Sequence, residues 1–176
     1  MGDLLRTEGA LERAAALAGS RGADASAWLD AHLPRLRRAT RAYARTKPPH
    51  ALLHMDARSD NLRVHPRSER PLRLFDWPYA CAGPPEIDLA FLAVTITCEG
   101  GPERETLAAW YAETGRLRPD VLAGAVAAVA GYFADAARRP EVPELPRLRA
   151  WQRKQLGVSL RWASRLLALP EPTWVA

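Results

Sequence analysis

The stretch His54-Met55-Asp56-Ala57-Arg58-Ser59-Asp60-Asn61, followed by Phe75-Asp76-Trp77, decides how this chain is read. Between the two lie short apolar runs at residues 62–65 and 72–75, separated by the turn-rich connector Pro66-Arg67-Ser68-Glu69-Arg70. Two such runs around such a connector predict a small β-hairpin. A loop Asp and an Asn five residues later therefore stand at one end of the hairpin, and the hairpin returns Asp76 to the same edge.

Working outward, the rest reads as helix. Upstream, residues 4–18 have helical spacing (Leu4, Leu11, Ala14, Ala15, Ala18), with Gly19 as a stop. After a Gly/Ser/Asp-containing loop, Pro34 is suited to the first position of a second helix running to about Arg45, which Lys47-Pro48-Pro49 ends. Residues 51–54 form one more short apolar run before the loop. Downstream, residues 87–97 are nearly all apolar and stop near Gly100-Gly101, and residues 103–114 form a helix closed by Gly115. Pro119 opens an apolar helix through Ala137, and Pro146 opens a final one to Leu169. In that last helix Leu148, Trp151, Gln155, Ser159, Trp162 and Leu166 share a stripe, and Trp28, Trp110, Trp151 and Trp162 are expected in the core. The expected fold class is mainly α with a small β-hairpin, in a single domain spanning residues 1–176.

Composition narrows the function classes. The net charge is +5 and the isoelectric point about 9.8, but the basic residues are almost all arginine and lie in every segment. The densest run, residues 35–45, alternates with Leu36, Ala39, Ala42 and Tyr43, as on the wet face of an amphipathic helix, so no nucleic-acid partner is expected. Cys81 and Cys98 are the only cysteines and form no Cys-x-x-Cys pair, which argues against a disulfide scaffold or a structural zinc site. The longest apolar run, residues 121–134, is too short for a bilayer, and the polar start shows no signal peptide. A cytoplasmic protein without a membrane partner is expected. His50 and His65 are expected at the surface.

Phosphoryl transfer to a hydroxyl needs side chains of the kinds grouped around the hairpin. A carboxylate must orient the acceptor hydroxyl and take its proton. Hard oxygen ligands must hold Mg²⁺, and positive charge must meet a charge-dispersed transition state. Asp56 can face the acceptor, while Asn61 and Asp76 converge on a metal. Taken singly, Asp56 and Asp60 read better as turn or cap residues, and Asp76 as a cap before Pro78. It is the ordered set, with Asp88 further on, that points to chemistry.

The pattern His-x-Asp-x-x-x-x-Asn, a hairpin, then Asp-aromatic resembles the catalytic and metal loops of the protein-kinase-like fold. Leu53-His54-x-Asp56, Asp60-Asn61-Leu62, Leu74-Phe75-Asp76-Trp77 and Gly83-Pro84-Pro85-Glu86-Ile87-Asp88-Leu89-Ala90 resemble, more narrowly, aminoglycoside phosphotransferases and their choline-kinase relatives. Those enzymes have His-Gly-Asp in the first motif, Asp-Trp in place of Asp-Phe-Gly, and a later Asp-Leu-Ala on a helix. The tail around Leu148-Arg149-Ala150-Trp151-Gln152 and Leu160-Arg161-Trp162 resembles the closing helix of actinobacterial members. The resemblance implies that Asp56 is the catalytic base and that Asn61 and Asp76 bind Mg²⁺ and, through it, ATP. It implies that His54 and Asp88 brace the loop by hydrogen bonds. Arg58 stands two residues after the base, where protein kinases often place a lysine, and by analogy touches the transferred phosphate. Met55 replaces the usual glycine.

The resemblance is to the C-terminal lobe alone. A complete member also has an N-terminal β lobe with a glycine-rich loop, a strand lysine and its glutamate partner. The only lysines here, Lys47 and Lys154, do not follow such a strand. The expectation is an ATP-dependent small-molecule phosphotransferase whose C-lobe is inactive alone and associates with its missing lobe or with itself. The alternative is a non-catalytic, pseudokinase-like binding module, or half of a split enzyme. The acceptor is left open among aminoglycosides, macrolides, choline and homoserine-like alcohols. Glu99, Glu103, Glu105 and Glu113 could serve a polycationic acceptor or be ordinary helix surface.

Overall fold

A computed structural model describes residues 9–69 and 71–175. Among the described residues five α-helices accompany two small antiparallel ladders: α1 (Gly22–Ala44), β1 (Ala51–Leu53), β2 (Leu62–Val64), β3 (Leu72–Leu74), β4 (Cys81–Gly83), α2 (Glu86–Cys98), α3 (Arg104–Ala112), α4 (Pro119–Ala136) and α5 (Leu148–Leu166). The fold class is the expected one.

The helical centre is α4. Its residues 121–131 are all buried, and it packs against α5, α1 and α2. Alanine and glycine permit that density by letting backbones approach. A Cβ on Gly124 would lie 2.4 Å from the Ala39 carbonyl oxygen and 2.7 Å from the Tyr43 Cβ, so α1 crosses α4 where there is no side chain. Trp162, 1% exposed, fills the core from α5, whereas Trp110 is 54% exposed and Trp28 and Trp151 are half-buried. The expectation that all four tryptophans are core therefore fails at Trp110, which lies on the outer face of the short α3.

The start of the chain departs from the expected helices. Residues 4–8 of the expected first helix lie outside the described residues. The rest of that segment is a 3₁₀ helix, Leu11–Leu17, ahead of Gly19 at φ +57°. Helix α1 begins at Gly22, twelve positions before the expected Pro34, which falls inside it. The stripe Ala25, Leu29, Leu33, Leu36, Thr40 and Tyr43 is buried without interruption across that proline. Pro34 and Asp30, whose carbonyl loses its helical partner to the proline ring, are both exposed residues, on the side of the helix open to solvent. Burial of the opposite face decides the helix.

The expected hairpin forms as β2–β3, with Leu62 opposite Leu74, Arg63 opposite Arg73 and Val64 opposite Leu72. A second ladder was not expected: β1 pairs with β4, with Leu53 opposite Cys81. Together the ladders clamp the segment between β1 and β2 at both of its ends. Cys81 and Cys98 are free thiols. Among the described residues no helix is long and apolar enough to cross a membrane.

Candidate active site

The segment after β1 turns sharply. His54 is 1% exposed, Met55 adopts φ +65°, and Arg58 is extended before the 3₁₀ turn Ser59–Asn61. A left-handed backbone at residue 55 suits glycine best. Here the methionine side chain is compensated by packing against the core, and its amide is held by Asp88. Asp88, in the first turn of α2, accepts from the His54 amide at 2.6 Å (Oδ2) and from the Met55 amide at 2.8 Å (Oδ1). One carboxylate thus satisfies two amides that the tight turn leaves without ladder partners.

His54 joins the loop to the hairpin. Its Nε2 lies 2.6 Å from the Phe75 carbonyl oxygen, and its Nδ1 lies 3.3 Å from the Asp56 amide nitrogen. A carbonyl can only accept and an amide N–H can only donate, so these partners assign a neutral imidazole with its proton on Nε2. Trp77 meets the ring edge-on at 4.7 Å and donates its own Nε1–H to the Leu74 carbonyl. The histidine is fully engaged as a spacer between Asp56 and Phe75.

Asp56 receives Asn61 Nδ2 on its carbonyl oxygen at 2.9 Å and on Oδ2 at 3.2 Å, and it forms an ion pair with Arg58, whose Nε lies 3.0 Å from Oδ1. Partial burial raises its pKa above the ordinary carboxylate range, against the opposing pull of Arg58 and Asn61. Arg58 also reaches Asp60 Oδ2 at 3.4 Å through Nη2. With its nitrogen committed to Asp56, the Asn61 amide can offer only its oxygen to a further partner. The Phe75 amide donates to the Asn61 main-chain oxygen at 2.9 Å, which sets Asp76 one residue beyond a direct tie to Asn61. Asp76 is exposed and left-handed at φ +60°, a conformation that aspartate tolerates better than most residues.

The six sequence-predicted site residues thus form one linked set. His54, Asp56, Asn61 and Asp88 are joined by hydrogen bonds, Arg58 joins through its ion pair with Asp56, and Asp76 is carried by Phe75. Asn61 and Asp76 are the hard oxygen donors that suit Mg²⁺ bound together with phosphates, where two protein ligands suffice. Among the described residues no group of three or more His, Cys, Asp or Glu could hold a metal without such help.

Other neighbours were not legible in the sequence. Tyr132, on α4, is held edge-on by Phe91 at 5.5 Å, and its phenol pKa is raised by burial and then by the charge of Asp56. In sequence it was one aromatic in an apolar helix. Glu86 is wholly buried and grips Arg118 through two 2.8 Å contacts, anchoring the start of α2. Ser59 donates to Glu99 at 2.6 Å, while Glu103 and Glu105 pair with Arg104, so three of the four acidic candidates serve internal contacts. His50 and His65 are exposed.

A family model described as the phosphotransferase enzyme family matches residues 3–122. Searches of curated proteins and of solved structures found no significant match.

Proposed function

Because the chain belongs to the phosphotransferase enzyme family, we propose that it is the C-terminal lobe of an enzyme that transfers the γ-phosphoryl group of ATP to a hydroxyl of a small molecule. The carrying observation is the Asp56–Asn61–Phe75 linkage, which ties a carboxylate of raised pKa to an amide oxygen and to the hairpin edge bearing Asp76. In the proposed step Asp56 orients the acceptor hydroxyl and takes its proton as the oxygen bonds to the γ-phosphorus. The bond from that phosphorus to the bridging oxygen breaks, and its electron pair leaves with ADP. Asn61 and Asp76 would hold Mg²⁺, which when bound neutralises charge on the phosphate oxygens. Arg58 meets the charge of the transferred group, and Asp88 and His54 keep the loop in shape.

The acceptor is an alcohol of unassigned identity, and the proposed setting is cytoplasmic. We read residues 1–176 as one lobe that partners an N-terminal β lobe. A split enzyme or a non-catalytic binding module is the second reading, favoured by the apolar side chains exposed around the hairpin. The test is Asp56→Asn in protein assembled with the β lobe. Turnover against a panel of hydroxyl compounds should fall by roughly 10²- to 10⁴-fold, with ATP affinity little changed. Wild-type turnover in the variant removes the base assignment, and an assembled wild type inactive on every compound leaves the non-catalytic binding module.

A further inference from the structure

The cap reading of Asp60 finds no support in its surroundings. The cap position of the turn Ser59–Asn61 is Arg58, with no side-chain cap bond, and Asp60 contributes its main-chain oxygen to Arg63 at 2.8 Å. The Asp60 carboxylate points instead at Arg58. Asp56, Arg58 and Asp60 alternate along the chain, and the extended backbone at Arg58 followed by the tight turn folds both carboxylates toward one guanidinium.

That guanidinium is divided. A lone arginine–carboxylate pair would favour a bidentate fork on one partner. Here Nε goes to Asp56 at 3.0 Å and Nη2 to Asp60 at 3.4 Å. The other Asp56 oxygen is taken by Asn61, so both oxygens of the proposed base are covered. Arg58 and Asp60 are exposed, at 44% and 63%, while Asp56 is half-buried at 28%, and ion pairs open to solvent on at least one side are weak enough to exchange partners.

Building on the proposed phosphotransfer, we infer that Asp60 is a positioning residue: it parks Arg58 beside Asp56 before nucleotide binds and releases it to the phosphoryl group afterwards. Phosphate oxygens offer the guanidinium a stronger, bidentate partner than two shared carboxylates. Its departure uncovers Asp56 Oδ1 for the acceptor hydroxyl. Arg58 then acts as a latch that opens only when there is phosphate to transfer, and Asp60 fixes where it rests.

Two measurements test this. The first needs no turnover: the Nε–H resonance of Arg58, identified by its loss in Arg58→Lys, should shift in Asp60→Ala and be restored in Asp60→Glu. An unchanged resonance in Asp60→Ala overturns the inference. The second is a double-mutant cycle on protein assembled with the β lobe. Arg58→Ala should lower kcat by roughly 10²-fold, the scale for losing one transition-state donor, with little change in KM for ATP. Asp60→Ala should lower kcat in the wild-type background and have no further effect beside Arg58→Ala. Additive losses would make Asp60 merely structural and overturn the inference. A wild type that transfers no phosphate, with a resonance that still responds to Asp60, removes the functional reading instead.

Discussion

Asp56 is held in a state that costs the fold something. Its raised pKa means that the folded protein binds the proton more tightly than the unfolded chain, so ionisation at neutral pH is destabilising. That cost is present above the folded pKa and vanishes below the ordinary carboxylate range, where both states are protonated. Asp56→Asn should therefore melt at or above the wild-type temperature at pH 7, with the gain shrinking as the pH falls through the raised pKa. A variant that melts lower at pH 7 contradicts this. Asp88 works in the opposite sense, because removing it strands the His54 and Met55 amides. Asp88→Ala should cost about 1–3 kcal/mol, read from denaturant midpoints, and lower activity only through the loosened loop. Asp76→Ala should abolish the Mg²⁺ dependence of ATP affinity while leaving the melting temperature near wild type, because its side chain is exposed. The six candidate residues could be picked out in the sequence because few residue types suit phosphoryl transfer and their spacing is tied to a hairpin. The contact between Asp60 and Arg58 could not, because it depends on where the neighbouring guanidinium points, and neither could Tyr132, because nothing local links α4 to the loop.

At the scale of elements, local signals located helix ends well where glycine had to go left-handed, as at Gly100 and Gly115. They failed where burial overrode them. Pro34 resembled a helix start, yet α1 runs through it because the opposite face is sealed against α4. The strand β4 was invisible because three residues, Cys81-Ala82-Gly83, carry no periodicity, and only the arrival of β1 gives them a partner. The α1–α4 crossing offers a direct test of the packing. Gly124→Ala puts a methyl against the Ala39 carbonyl and Tyr43, neither of which is a flexible side-chain tip. It should destabilise by about 1–3 kcal/mol through overpacking, despite the better helix propensity of alanine. Urea unfolding with an unchanged or higher midpoint would show that the helices can separate without cost.

At the scale of the whole molecule, the candidate site lies among segments that expose large apolar side chains. Leu52 and Val64 are each 71% exposed, Leu72 faces outward beside Val64 across the hairpin, and Phe75, Trp77 and Tyr79 continue the patch past Asp76. Exposed apolar side chains in this number are what a covering partner would bury. ATP placed against Asn61 and Asp76 alone would be held from one wall, hydrated and mobile. Phosphoryl transfer depends on positioning and on electrostatics in a water-poor site, and both need the triphosphate enclosed. Residues 1–176 by themselves should therefore bind Mg-ATP weakly, turn over no acceptor at a useful rate, and self-associate through the hairpin face. Calorimetry for ATP and light scattering for size, on this chain alone and then with a β lobe added, check all three. Adding the lobe should tighten ATP binding and dissolve the self-association together, because both draw on the same face. Charged substitutions at Val64 and Leu72 should dissolve the self-association without restoring ATP affinity, which separates the apolar contact from the enclosure of the nucleotide. A monomer of this chain that binds Mg-ATP tightly and turns over steadily would mean that one wall is enough.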